Sequence, residues 1–445
     1  MSAGRPEGGL AAPVTEMNAR KGQDMRAEHT GRLLRGMVSL ASGMLLATGA
    51  LAADGGLGLK VDSLRVEVGG FTDHPRASGD AFASMAVSAG GGEGDWSYAL
   101  GARLDAFSQS GSADFTRVRA DYTENYLRWR GEDLRLTLGT QNVMWGRVDE
   151  ISPIDRMSRA DLSRAMLDKL PDRRRAVPAA RAEYFGEDFK LDAVWLPVFD
   201  DAVMPHGDSV WHPVDTAKGR LLGFGTLPGL AGVKVREADE DGSGGGGLRL
   251  TAGGDGLDYG VSVQRVRQSQ PYYRVSPGVL TAIHPYDTVI GAELEAERLG
   301  ATWRMELAWR SDVPLTTPGF QYRTDPGVDL VVGAEFFPGD GETRVTLQLA
   351  GHRTLTDVSV LDRTEFYVMT GEIEHPFAHG RWRADLRFMA GLGERDVYLN
   401  PRLTYTGIDQ HELFVAAHVF SGSEQTLGGY YSRNDSVMVG WQAKF

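Results

Sequence analysis

The sequence predicts an all-β fold: a single transmembrane antiparallel β-barrel of about 18 strands, 16 being the alternative count, with a short helix in the third extracellular loop. Three observations carry this. Apolar and polar residues alternate with period two over most of the chain after Asp54, as strands need when their two faces meet different solvents. Connections between the alternating segments are short and long by turns. The chain also closes on an amphipathic segment that ends in an aromatic residue.

Composition permits this class without requiring it. The 445 residues are 42% hydrophobic and 24% charged. One apolar run, Gly36 to Ala53, occurs near the N-terminus, and no later stretch approaches the ~20 apolar residues of a spanning helix. A helical membrane bundle is thereby excluded, whereas a barrel is not, because alternating strands average out in hydropathy. Cysteine is absent, so no disulfide or thiolate metal site can form.

Arg26, Arg32 and Arg35 precede the apolar run Met37 to Ala50, and Ala50-Leu51-Ala52 supplies small residues for cleavage. This reads as a secretory signal within an N-terminal segment 1–52, with Met25 as the expected translation start. Residues 53–445 are then the outer-membrane barrel. Residues 1–52 hold six of the 47 basic and four of the 60 acidic residues, leaving 41 and 56 and a formal charge of −15.

The clearest strands set the pattern. Trp303, Met305, Leu307 and Trp309 interleave with Arg304, Glu306, Ala308 and Arg310. Trp382, Ala384, Leu386 and Phe388 interleave with Arg381, Arg383, Asp385 and Arg387. A charge at every second position is too polar for a packed sandwich core and suits a wall between lipid and water. Turn-like links such as Gly131-Glu132-Asp133, Gly186-Glu187-Asp188 and Arg298-Leu299-Gly300 alternate with longer ones at 146–175, 200–245 and 268–286. This fits tight periplasmic turns and longer extracellular loops. Trp96, Tyr98, Trp129, Trp303 and Trp382 fall near the predicted turns, where aromatic belts belong. Val437, Val439, Trp441 and Phe445 form one face of the last strand and resemble the terminal signal read by the barrel-assembly machinery.

If the apolar positions face lipid, Arg103, Arg128, Arg135, Arg304, Arg344, Arg381, Arg383 and Arg387 line the lumen, together with Glu293 and Glu295. Two readings of this set stand side by side. A basic surplus would concentrate anions, or the charges pair across strands and fill the barrel. The segment 146–175 is the third extracellular loop, with a helix expected from Arg159 to Lys169 whose face Leu162, Ala165, Met166 and Leu170 would seek an apolar seat. Folding inward, it would form a constriction offering Arg147, Asp155, Arg156, Arg159, Arg173, Arg174 and Arg175 to a solute. Alternatively these arginines pair with Asp149, Glu150, Asp155, Asp161, Asp168 and Asp172 along the same loop.

Gly139-Thr140-Gln141-Asn142-Val143-Met144-Trp145-Gly146-Arg147, followed by Ile151 to Asp155, resembles the G-x-Q-x-x-x-W-G strand and loop of large Gram-negative porin-type barrels, the alginate-export-type porins among them. The resemblance implies passive transport through an 18-stranded monomeric barrel with an Arg-rich lumen. Glu293, Glu295 and Glu297 depart from a lumen dedicated to a polyuronate.

The function expected is an outer-membrane channel for passive passage of small or anionic solutes. The alternatives are a binding or adhesion barrel acting through its loops, chiefly 200–245, and a barrel enzyme. The ten His residues are scattered and none joins a nucleophile in a recognisable motif, so no catalytic residue, metal or cofactor is expected. The expected partners are outer-membrane lipid and lipopolysaccharide, the barrel-assembly machinery and a small solute, with no nucleic acid.

Overall fold

A computed structural model describes residues 58–238 and 240–445. The secretory signal expected within residues 1–52 lies outside the described residues. The rest is one antiparallel sheet closed into an 18-stranded barrel. Its strands are β1 (Lys60–Phe71), β2 (Ala77–Glu93), β3 (Trp96–Gly111), β4 (in two segments, Phe115–Tyr122 and Asn125–Arg130), β5 (Leu134–Gln141), β6 (Val177–Phe185), β7 (Phe189–Leu196), β8 (Gly245–Gly254) and β9 (Leu257–Arg267). The second half comprises β10 (Tyr286–Arg298), β11 (Ala301–Thr316), β12 (Tyr322–Phe336), β13 (Arg344–Thr354), β14 (Glu365–Phe377), β15 (Trp382–Gly391), β16 (Asp396–Ile408), β17 (His411–Gly422) and β18 (Ser436–Lys444).

Each strand pairs with its sequence neighbour, and β1 pairs with β18 from Ser63↔Lys444 to Phe71↔Ser436. Closure removes every free edge, the condition for a sheet to sit in hydrocarbon. Where β4 breaks, the Asn125 side chain substitutes for the ladder: it accepts from Gly101 N at 3.0 Å and donates to Gly101 O at 2.9 Å.

The alternation read from the sequence sets the two faces. On β11, Trp303, Met305, Leu307 and Trp309 are 37–41% exposed, while Glu306 and Ala308 are fully buried inside. Leu138, Trp195, Val261 and Ile290 continue the apolar exterior round the barrel. Such a surface stays out of water only when lipid covers it, so the barrel is a transmembrane one. No helix among the described residues is long and apolar enough to cross a membrane.

Short turns gather at one end, including 94–95, 186–188, 255–256, 299–300 and 409–410. The long connections 142–176, 197–244 and 268–285 gather at the other. Two of these cap their end. Within 197–244, Trp211 turns inward, packs on Phe71, Phe420 and Tyr431, and donates from Nε1 to Asp80 at 2.8 Å. Lys234–Glu237 pairs in parallel with Val279–Ile283, which pairs with Tyr272–Ser276. Asp239, within the acidic run 237–241, lies outside the described residues.

Two expectations need correction. The helix expected from Arg159 to Lys169 is absent. Arg159–Ala160 pairs as a short bridge with Arg174–Arg175, turns follow, and the only helical turn of the loop is the 3-10 turn Leu170–Arg173. Asp161 captures its own chain, accepting from Ser163 N and Oγ, which competes with helix formation. Ala165 adopts φ 50°, incompatible with a continuing right-handed helix. Arg381, expected in the lumen, is instead exposed in the turn 378–381. Ala378 and His379 both take positive φ there, so the turn consumes Arg381 before β15 starts at Trp382.

Candidate functional site

The motif Gly139 to Gly146 launches the 142–176 loop into the barrel. Gly139, near the end of β5, takes φ 129°, where a Cβ would strike the Asn125 carbonyl of β4. Gln141 donates from its amide to Ala179 O at 3.0 Å and Thr137 O at 3.1 Å, fixing the chain as it leaves the ladder. Trp145 is wholly buried and donates to Asp192 of β7 at 3.1 Å. Gly146 at φ 124° turns the chain inward, and a Cβ there would collide with Ser152 and Glu306. The motif is therefore a device for folding a loop across the lumen.

The loop is then held from many sides. Glu306 of β11 accepts from Val148 N at 3.0 Å and Ser152 Oγ at 2.7 Å, and also from Arg147 N. Gln264 of β9 donates to Ile154 O at 2.7 Å. Arg387 of β15 grips Glu150 through bonds of 2.7 and 2.8 Å and donates to Met166 O at 3.0 Å. On the far side, Arg164 meets Glu67 of β1, Arg175 meets Asp105 of β3 at 2.8 Å, and Arg159 meets Asp121 of β4 at 2.7 Å. Burial would raise the pKa of Asp168, but Arg164 and Arg65 outweigh it and hold the carboxyl well below its usual range. Charged pairs this buried act as positional pins, because removing one partner strands the other in a poor solvent.

The loop residues singled out in the sequence divide into two kinds. Arg147 pairs with Glu293 at 3.0 Å, Arg159 with Asp121 and Asp200, Arg174 with Asp155, and Arg175 with Asp161 and Asp105. Arg156 and Arg173 have no such commitment. Arg156 donates from Nε to Pro153 O at 2.8 Å and reaches Asp329 only at 3.7 Å. Arg173 reaches Glu150 at 3.8 Å, a carboxylate already held by Arg387, and its Nε is buried without a partner. Desolvation, helped by Arg310, pushes the Arg156 guanidinium below its ordinary pKa.

The wall charges also pair, Arg128 excepted. Arg103 meets Asp105 at 2.7 Å, Arg304 meets Glu295 at 3.1 Å, and Arg383 meets Asp385 at 3.2 Å. Arg135 binds Glu183, Arg344 sits among Glu335, Glu372 and Glu374, and Arg128 donates to the Thr137 hydroxyl at 3.2 Å. Among the described residues, the one carboxylate trio close enough to share a cation, Glu372, Glu374 and Asp385, is met by Lys169, Arg344 and Arg383.

One feature escaped the sequence reading. Lumen-facing Val331, Ala350, Val368, Met389, Tyr398 and Phe420 lie on consecutive strands β12 to β17 and belong to one buried apolar cluster. The signal was local failure of alternation: Leu330-Val331-Val332 and Phe388-Met389-Ala390 are apolar on both faces. Between this ribbon and the loop lies a chamber of about 440 Å³ lined by Arg156, Arg173, Val331, Ala350, Phe366 and Met389, among others. A second space of about 330 Å³ adjoins it on the long-loop side, sharing Leu162, Met166, Arg173, Gln270 and Leu427.

No family model and no curated protein matches the chain. Among solved structures it is similar to OccAB4 of Acinetobacter baumannii, at 7% identity and TM-score 0.49 over 87% of this chain and 98% of that one. It is likewise similar to OccK5 (OpdH) of Pseudomonas aeruginosa, at 10% identity and TM-score 0.48 over 86% and 97%. OmpF of Salmonella typhi, solved in complex with daunomycin, matches at 10% identity and TM-score 0.43 over 87% and 98%. The barrel assignment rests on the chain's own closed ladder.

Proposed function

We propose that this protein is an outer-membrane channel for passive passage of small solutes, narrowed by its 142–176 loop. The observation that carries the reading is the path of that loop. It leaves β5, crosses the lumen, and bonds to β1, β3 and β4 on one side and to β9, β11 and β15 on the other. A barrel of this strand number is wide enough to conduct unless something fills it, so the loop sets the bore. Arg147, Arg159, Arg174 and Arg175 act as its pins, while Arg156 and Arg173 are the solute contacts. Anion preference then comes from two guanidiniums and not from the whole arginine set, most of which is neutralised in place. The setting is outer-membrane lipid, with delivery by the barrel-assembly machinery through Val437, Val439, Trp441 and Phe445.

Planar bilayers containing the purified protein test this. Stepwise currents that grow when the loop is unpinned support it. Silence in bilayers would overturn it and favour a barrel that binds through its external loops.

A further inference from the structure

We infer that the chamber selects small amphipathic monoanions: solutes with one carboxylate and an apolar, single-ring-sized body. The inference rests on the channel reading above for its biological sense, but its physical basis is the chamber alone.

The cationic element is specific. Glu150, Asp155 and Asp287 at the chamber each have their own arginine, respectively Arg387, Arg174 and Arg310. Asp329 takes His352 at 2.6 Å. Arg156 and Arg173 are left with guanidinium N–H groups that lack a close carboxylate. A guanidinium in a confined space gains most from a carboxylate that can accept two N–H bonds. A second or third carboxylate on the same solute would face Glu150 and Asp329, so polyacids gain less.

The apolar element is equally specific. Lumen positions of a water-filled barrel are ordinarily polar, yet Val331, Ala350, Phe366 and Met389 present hydrocarbon to the chamber. Part of the ribbon seats the loop through Ile151 and Met166, but these four side chains also border open space. The adjoining 330 Å³ vestibule is lined by Leu222, Phe224, Pro271 and Tyr272, so the approach is apolar as well. Neutral sugars bring no charge to the two arginines and lose water against the hydrocarbon side of the chamber, and cations meet the arginines. A carboxylate on a hydrocarbon body satisfies both halves of the site.

Isothermal titration of the detergent-solubilised full chain with benzoate, acetate, benzyl alcohol, citrate and glucose tests this directly. Benzoate is expected to bind about tenfold more tightly than acetate, which lacks the body, and benzyl alcohol, which lacks the charge. Arg156→Gln and Arg173→Gln should each weaken benzoate about tenfold. Met389→Gln should narrow the benzoate-to-acetate ratio, which a purely electrostatic site would not do. Arg433→Gln, at the outer rim, serves as the control. Equal affinity for benzoate and either fragment, or tighter citrate or glucose, overturns the inference even if the protein conducts. Selective benzoate binding by a protein that carries no current would leave the inference standing and remove the channel reading.

Discussion

Arg387 and Glu150 sit 237 residues apart and meet through two hydrogen bonds of 2.7 and 2.8 Å, joining the wall of β15 to the tip of the inward loop. Both are largely buried, at 4% and 13% side-chain exposure. Arg387→Ala is expected to cost about 2–3 kcal/mol locally, because Glu150 loses its two charge-assisted hydrogen bonds and keeps only Arg173 at 3.8 Å. The double variant with Glu150→Gln should recover part of that loss. Limited proteolysis within 142–176 reports the loop, and equal sensitivity of single and double variants would show that the pair is not coupled.

Glu306 holds the other flank of the loop, taking three donors from Arg147, Val148 and Ser152. Glu306→Ala leaves those donors unsatisfied, at about 1–3 kcal/mol each where they stay dry. The loop should detach there and single-channel conductance should rise. Conductance indistinguishable from the parent would mean that the loop does not limit the bore.

Gly146 is held at φ 124° against Ser152 and Glu306. Gly146→Ala must adopt a backbone region that costs an L-residue about 1–3 kcal/mol and must also push those side chains away. The barrel should still assemble, since no ladder bond is lost. The loop should become protease-sensitive, while Gly207→Ala, with open space around it, should change nothing.

Asp362, in the 355–364 loop, accepts from Thr316 N at 2.6 Å and Tyr272 Oη at 3.0 Å. Burial raises its pKa from 3.8 to about 6. A pKa raised on folding means that the protonated form favours the closed loop. This contribution is complete below pH 3.8 and is lost as pH rises through about 6. Hydrogen exchange of residues 355–364, corrected for intrinsic rates, should therefore speed up across that window. Asp362→Asn should flatten the dependence, and an unchanged profile in that variant would assign it to another group.

Arg173, Arg174 and Arg175 adjoin in sequence but differ in partnering. Arg175→Ala should destabilise the loop by stranding Asp161 and cutting its link to Asp105 of β3, which keeps Arg103, whereas Arg173→Ala should spare stability and shift ion selectivity away from anions. Reversal potentials in asymmetric KCl and thermal shifts separate the two. Identical behaviour of both variants would refute the division into pins and contacts.

The strands were legible because lipid and water impose opposite demands on adjacent residues. Trp303 to Arg310 declares its two faces without reference to any other part of the chain, and the short links mark one end of the barrel. The helix expected at 159–169 failed because its apolar spacing was real but local competition by Asp161 and long-range ion pairs of Arg159 and Arg164 outweighed it. Arg381 failed by a single register step, since the sequence does not show where a turn releases its last residue.

The sequence by itself determined the barrel, its strand order and its lipid face, because each follows from nearest-neighbour alternation. Only the tertiary structure decided which arginines are neutralised. Arg156 and Arg173 look like Arg174 and Arg175 in the sequence, and their difference arises from the folded path of the loop, which sets Arg174 against Asp155 and Arg175 against Asp161 and the strand residue Asp105. Electrostatic pairing depends on distance in space, which alternation along a strand does not encode.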